Sequence, residues 1–471
     1  MLRREVWLVS AWALLLGLAL SELSEPDDAA AFAEHPHSTH HKDLFPLDLS
    51  DYIGTFLVAM GLLVAASGGI GGGGILVPLY ILVYGFKPKR AIALSNFTIL
   101  GASIMNMALN FPKRHPSPRV DRPLVDWDLV VVMQPLTIAG TLLGAFIGLL
   151  LPDSIVIILL IILLGFTTYT TLKKGISQYQ KETKLFEAKS AKEIIREAME
   201  ENQEDEATEE KSGLLGQDDS EEPGKSMDTS SYNPELAEII EREKSSPMFK
   251  ISVLTTMFVG IIVLNVLKGG KGGYGSALGI ACGSPAYWAL TAFIFLWIVG
   301  IFVYLRNILI DEWKLKKKLR YRFEEGDIEW NYENTLYFPA VCTLAGVFAG
   351  MFGIGGGIVM GPLMLQMGIH PLVVSATSAV MIFYTAFTGT SAYVAFGTLK
   401  WDYGWFLFVV GLLATAVGQF GVSYLVEKYK RTSYISLSIG AVVALSTALL
   451  TLESLVSSTS GEAVETDSLC G

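Results

Sequence analysis

Glycine runs interrupt apolar stretches at two places in this 471-residue chain. The first reads "GGIGGGGILVPL" from Gly68 to Leu79; the second reads "MFGIGGGIVMGPL" from Met351 to Leu363. Glycine inside a helix costs about 1 kcal/mol per residue against alanine, so runs of it should break the helix. A break at membrane depth frees backbone groups that lipid cannot satisfy, and it must be buried against protein or a cavity. The helix that restarts after the break presents free N–H groups and a positive dipole end, which suits an oxyanion without any lysine or arginine. Candidate contacts for such an anion are therefore the backbones of Gly71, Gly72 and Gly73 and of Gly355, Gly356 and Gly357.

Polar side chains follow each run within apolar surroundings: Ser95, Asn96 and Thr98, then Ser375, Thr377 and Ser378. Asn106, Gln134, Thr141, Tyr384, Thr385, Thr388 and Gln419 lie further along. Hydroxyls and amides donate to oxyanions, although a bond to the carbonyl one turn back is the commoner use of Ser and Thr. Ser95, Asn96 and Ser378 stand out because they occupy matching places in a repeat. A shift of 284 superposes Gly69–Gly73 on Gly353–Gly357 and Pro78 on Pro362. A shift of 283 superposes Pro88 on Pro371 and Ala93–Asn96 on Ala376–Ala379. Paired, glycine-interrupted apolar segments in two halves point to a transporter binding site.

The elements that must hold these residues are membrane helices. The chain is 51% hydrophobic and 17% charged, and several uncharged runs of about 20 residues suffice to cross a hydrocarbon core. The predicted fold is an all-α polytopic membrane protein with two repeats, each a glycine-broken helix followed by three transmembrane helices. Residues 51–174 form the first repeat and 335–453 the second, with a two-helix insert at 248–305 and a basic loop at 306–334. Residues 1–21 read as a signal peptide, 22–50 as a lumenal or extracellular tail, and 454–471 as a C-terminal tail. If each broken segment is a hairpin, the basic clusters at 113–114, 173–174, 314–322 and 428–431 share one side, as the positive-inside rule asks. That arrangement also inverts one repeat relative to the other.

Residues 175–247 carry 20 acidic against 9 basic side chains, which accounts for the formal net charge of −11. The stretch opens with a helical pattern at 188–203 and then has the composition of disorder, a possible docking segment for a cytosolic partner. Four of the six histidines fall at 35–41 without a cysteine or carboxylate in ligand spacing, so no metal site is expected. Cys282, Cys342 and Cys470 form no CxxC pair and predict no disulfide framework. Gly69, Gly71 and Gly74 match GxGxxG, but no strand precedes them and the second copy has Ile358 at the last position. Gly140, Gly144 and Gly148 read as a packing seam. No charged residue lies mid-segment, which argues against a cation pump and an intramembrane protease. No cofactor and no nucleic-acid partner is expected.

The doubled motif, with "ALSN" after the first copy and "HPLVVSATSA" after the second, resembles the sulfite exporter TauE/SafE family of permeases over approximately 50–175 and 335–453. The signal sequence and long loops are similar to a eukaryotic member. The resemblance implies a carrier for sulfite or a related organosulfur or carboxylate anion, with contacts at Gly71–Gly73, Ser95, Asn96, Gly355–Gly357 and Ser378. Ala379 stands where the first copy has Asn96, so the two half-sites differ. An anion channel and a membrane scaffold or receptor with a vestigial transport site remain as alternatives. The destination is a membrane of the secretory pathway; the oligomeric state is not specified by sequence.

Overall fold

The computed structural model describes residues 43–68, 71–117, 120–206, 234–269, 276, 278–324, 326–429 and 433–459. The expected signal peptide, the histidine cluster, the middle of the acidic stretch and the final tail lie outside the described residues. Thirteen helices occur among them: α1 Leu49–Gly68, α2 Gly73–Leu82, α3 Pro88–Asn110, α4 Trp127–Leu150, α5 Asp153–Glu206, α6 Pro234–Glu243 and α7 Met248–Lys268, then α8 Pro285–Lys318, α9 Asn334–Phe352, α10 Gly357–Gln366, α11 Pro371–Ala395, α12 Trp401–Tyr429 and α13 Ser433–Thr459. Nine of the described helices are long and apolar enough to span a bilayer. The protein is an all-α polytopic membrane protein.

Local sequence explains most helix starts. Pro88, Pro285 and Pro371 occupy first-turn positions, where a missing N–H costs nothing. Asp126 caps α4 by accepting from the amides of Asp128 and Leu129, and Ser284 caps α8 through the amide of Tyr287. Three boundaries differ from the sequence reading. α5 runs unbroken through Gly175 to Glu206, because one glycine among good helix formers is too small a penalty to end a helix. α8 continues to Lys318, so the start of the expected basic loop is helical. α13 extends to Thr459.

α2 and α10 have 10 residues each, a length of about 15 Å against a core of about 30 Å, so each reaches halfway. α1 and α2 double back on one another: the Thr55 hydroxyl and the Tyr84 phenol are 3.0 Å apart, and Gly61 lies against Ile75. The open end of this hairpin lies with the start of α12, where the Tyr403 hydroxyl donates to Asp51. We call this the tail face. α9 and α10 double back from the opposite, loop face, where Gly326 before α9 packs on the carbonyl of Gly368 after α10. Arg122 pairs with Asp327 across that face at 2.5 Å.

Each hairpin is fastened to a helix of the other half by glycine. Carbons added at Gly140 and Gly144 of α4 would lie 2.2 and 2.0 Å from the carbonyl oxygens of Thr343 and Val347 on α9. On the other side, carbons added at Gly418 of α12 and Gly101 of α3 would lie 2.6 and 2.4 Å from the carbonyl oxygens of Leu63 on α1 and Phe408 on α12. Such spacing is below any side-chain contact and lets backbones touch. α3, α4 and α11 are the most enclosed, with 72%, 78% and 83% of their apolar windows buried, against 22% for α5. The first three therefore form the central wall and α5 lies at the periphery.

Candidate functional site

The tips of the two hairpins meet. A carbon added at Gly73 would lie 2.3 Å from Ile354 Cα and 2.7 Å from the Gly353 carbonyl oxygen. Gly72 and Gly356 are the N-caps of α2 and α10, with φ of 74° and 73° and no side-chain cap. Gly71 and Gly355 also have left-handed φ, 77° and 66°, a conformation that glycine alone adopts freely. The amides of Ile75 and Leu76 donate to Gly72 O and those of Val359 and Met360 to Gly356 O, so by helix geometry only the first two amides after each cap lack an intrahelical acceptor. Ile99 and Ile382, separated by the repeat shift of 283, line both tips: each would touch a carbon added at Gly71 and one added at Gly355.

The freed carbonyls are met by side chains. Ser95 Oγ donates to Gly353 O at 2.7 Å, Thr385 Oγ1 to Gly355 O at 3.0 Å, and the Tyr393 phenol to Gly350 O at 2.6 Å. Gln419 Nε2 donates to Ala66 O at 2.7 Å near the first break. Acceptors at the breaks are thereby answered from neighbouring helices, and the helix-start amides keep their donor character.

The sequence-predicted residues divide accordingly. Gly71–Gly73 and Gly355–Gly357 come together at the hairpin tips. Ser95 holds the second break in place, and Asn96 is turned back to its own helix, Nδ2 to Ile92 O at 3.3 Å. Ser378 is 1% exposed and its hydroxyl has no partner. Matching repeat positions thus have unlike environments. Beside the first break lies a small cavity of about 10 Å3, lined among others by Gly71, Ser103, Asn106, Ala379, Ile382 and Thr415. Ser103, Thr415, Ile99 and Ile382 were not singled out by sequence; the two isoleucines carry the repeat spacing, whereas nothing local marks Thr415.

The sequence profile of the family described as Sulfite exporter TauE/SafE matches residues 52–199 and 254–448, most of the chain. The chain belongs to that family. Three plant relatives from Arabidopsis thaliana are similar along most of their length. Sulfite exporter TauE/SafE family protein 2 is 29% identical over 418 residues, 86% of this chain and 83% of the relative. Family protein 1 is 28% identical, covering 82% and 80%, and family protein 5 is 29% identical, covering 84% and 81%. No solved structure matches the chain.

In this TauE/SafE family member a second polar cluster closes the loop face. Lys250 Nζ pairs with Asp128 at 2.7 Å and Glu312 at 2.5 Å, tying α7 to α4 and α8. Lys316 pairs with Glu243 at 2.6 Å, which seats the end of the acidic stretch against α8. Among the described residues no group of three or more potential ligands could hold a metal ion. Cys282 is disulfide-bonded, correcting the expectation from spacing, since CxxC spacing says nothing of partners distant in the chain; Cys342 is free and buried.

Burial and the neighbouring Asp128 charge push the Asp126 carboxyl up to about 6, against the opposing pull of Arg122 and the Leu129 amide. The folded value lies above the ordinary 3.8. The stability this group contributes is therefore full below the ordinary value and lost as pH rises through about 6. Asp126→Asn keeps a cap acceptor and is expected to flatten that part of the thermal-stability profile between about pH 4 and pH 7. Superimposable profiles for the two proteins would show that the carboxylate carries no such cost.

Proposed function

We propose that this protein is a secondary transporter of a small anion, sulfite or a related organosulfur or carboxylate anion, in a membrane of the secretory pathway. The observation that carries this reading is the meeting of two helix N-termini, glycine-capped and without side-chain caps, at the tips of hairpins from opposite faces. Two positive dipole ends at one point, each with first-turn amides that lack an intrahelical acceptor, are a site for negative charge. The names of the plant relatives and of the family point to the same class of substrate. The glycine backbones bind the oxyanion, and Ser378, whose buried hydroxyl has no partner, is assigned to it as a further donor. Ser95 contributes by holding the second tip.

Alternating access follows from relative motion of two bodies that cut across the repeat. The α1–α2 hairpin is bound to α12 by Gly418, and the α9–α10 hairpin is bound to α4 by Gly140 and Gly144. The hairpin tips and the Ile99–Ile382 pair lie between those bodies, so sliding there opens one face at a time.

Purified protein in proteoliposomes is expected to take up sulfite saturably, with sulfate and sulfoacetate as competitors, and faster under a pH gradient. Gly72→Leu and Gly356→Leu should each remove most of that uptake. Folded variants with unchanged uptake would reject the site, and conductance above carrier turnover would make the protein a channel.

A further inference from the structure

Ser103 and Asn106 line the cavity beside the first break, and from them α3 carries polar residues on toward the loop face. Ser103, Asn106 and Asn110 recur at helical spacing on α3, three or four residues apart and so on one face. Lys113 follows just beyond the helix end and donates from Nζ to Asn110 Oδ1 at 2.8 Å. Asn110 Nδ2 donates to Asn106 Oδ1 at 2.9 Å, and Gln419 Nε2 donates to the same oxygen at 2.6 Å. With Oδ1 held by two donors, the Asn106 amide is fixed and its own N–H groups remain as donors on the cavity wall. Lys113 lies on the same face as the end of the acidic stretch, because Arg114 beside it donates to Lys244 O at 2.5 Å.

Thr415 gives this line an end. It is 1% exposed, lines the cavity, and its hydroxyl has no partner. Several buried threonines in this protein return their hydroxyl to the carbonyl four residues earlier, as Thr98, Thr137, Thr141 and Thr388 do. That habit costs nothing and satisfies the group. A buried hydroxyl left unmade is penalised, so its retention beside a cavity and a helix N-terminus indicates an external acceptor.

We propose that an anion passes between the loop face and the first break along Lys113, Asn110, Asn106 and Ser103, and that Thr415 is a donor that distinguishes an oxyanion there. The inference rests on the anion-carrier reading above and adds its route and a specificity residue. The lining offers the Thr415 hydroxyl and the Asn106 amide as donors, Ser103 Oγ being bonded to Leu100 O at 2.9 Å, and no carboxylate is among the cavity residues. That set fits a small oxyanion and excludes a cation by lack of compensating charge.

The test places cysteine at Ser103 and Thr415 in the full chain and treats it from the loop face with an anionic, membrane-impermeant methanethiosulfonate. Thr390→Cys is the reference, since Thr390 is equally buried with an unpartnered hydroxyl but does not line the cavity. Both route cysteines are expected to react at least about tenfold faster than the reference, and Lys113→Gln should slow the anionic reagent about tenfold while sparing a neutral one. Sulfite should protect both positions. Thr415→Val should raise the KM for sulfite about tenfold with Thr415→Ser close to wild type, a split that a packing role would not give. Rates equal to the reference overturn the route, even if sulfite uptake persists and the carrier reading stands. Fast, charge-selective reaction without any sulfite uptake or protection keeps an anion-accessible route and overturns the carrier reading instead. If one cysteine variant fails to fold, the other carries the test.

Discussion

Gly73→Ala is expected to abolish transport and to destabilise the protein, although it adds a single methyl. The added carbon would sit 2.3 Å from Ile354 Cα and within 2.7 Å of the Gly353 carbonyl oxygen, and both neighbours are backbone, so no rotamer change relieves the overlap. The tips must separate, and the Ser95 bond to Gly353 O, the tight Ile99–Ile382 packing and the alignment of two helix N-termini are disturbed together. Overpacking costs about 1–3 kcal/mol, and a site misaligned to that extent loses roughly 100-fold in rate. The measurement is sulfite uptake together with the fraction of monodisperse protein after heating. Gly165→Ala is the reference: a carbon there meets nothing within 4 Å, so it should leave uptake intact and hold or raise stability through better helix propensity. Equal behaviour of the two variants would dismiss contact of the tips as a functional feature.

The second large effect is expected at Gly144→Ala, a residue that is not itself a candidate anion contact. Its added carbon would lie 2.0 Å from the Val347 carbonyl oxygen and 2.9 Å from the Met351 amide. From the other helix, Gly350 would meet the Thr141 carbonyl at 2.0 Å. Gly140 and Gly144 of α4 and Gly346 and Gly350 of α9 thus let the two helices run in backbone contact, and without a hydrophobic driving force in lipid such close packing is what holds helices together. A loss of about 3 kcal/mol is expected, seen as a lowered thermal midpoint in detergent. Gly148→Ala should be milder, because its nearest neighbour is 3.1 Å away. If α4 and α9 move as one body, cross-linking them should leave uptake unaffected, whereas cross-linking the two hairpin tips should stop it. A midpoint for Gly144→Ala equal to wild type would show that the seam is looser than these distances.

Much of the architecture was legible because membrane helices announce themselves locally. Twenty-residue apolar runs, first-turn prolines at Pro88, Pro285 and Pro371, and paired glycine interruptions are all read within a short window. Where the reading slipped, at Gly175, Lys318 and Thr459, a helix outran the composition change that was taken as its end. A shift in polarity marks the edge of the membrane, whereas a helix ends only when its backbone geometry is interrupted.

The site was legible in part. That Gly71–Gly73 and Gly355–Gly357 matter follows from the cost of glycine in a helix, and sequence alone carried that argument. Ser95 and Ser378 look equivalent in the repeat, yet one hydroxyl is bound to Gly353 O and the other is bare. That difference arises between residues more than 250 positions apart, and no local pattern encodes it. Thr415 is a threonine among apolar residues in sequence; only the cavity beside it and the absent bond to its own helix make it notable.

The sequence by itself determined the class of protein, the number and placing of most helices, the duplicated glycine breaks and the family, because hydropathy, backbone propensity and motif are properties of contiguous residues. The tertiary structure decided the rest. It brought the tips of opposed hairpins into backbone contact, fastened each hairpin to a helix of the other half, and left a small cavity beside the first break. Those outcomes depend on packing between distant segments, where a few tenths of an ångström decide whether two backbones touch or leave room for a ligand.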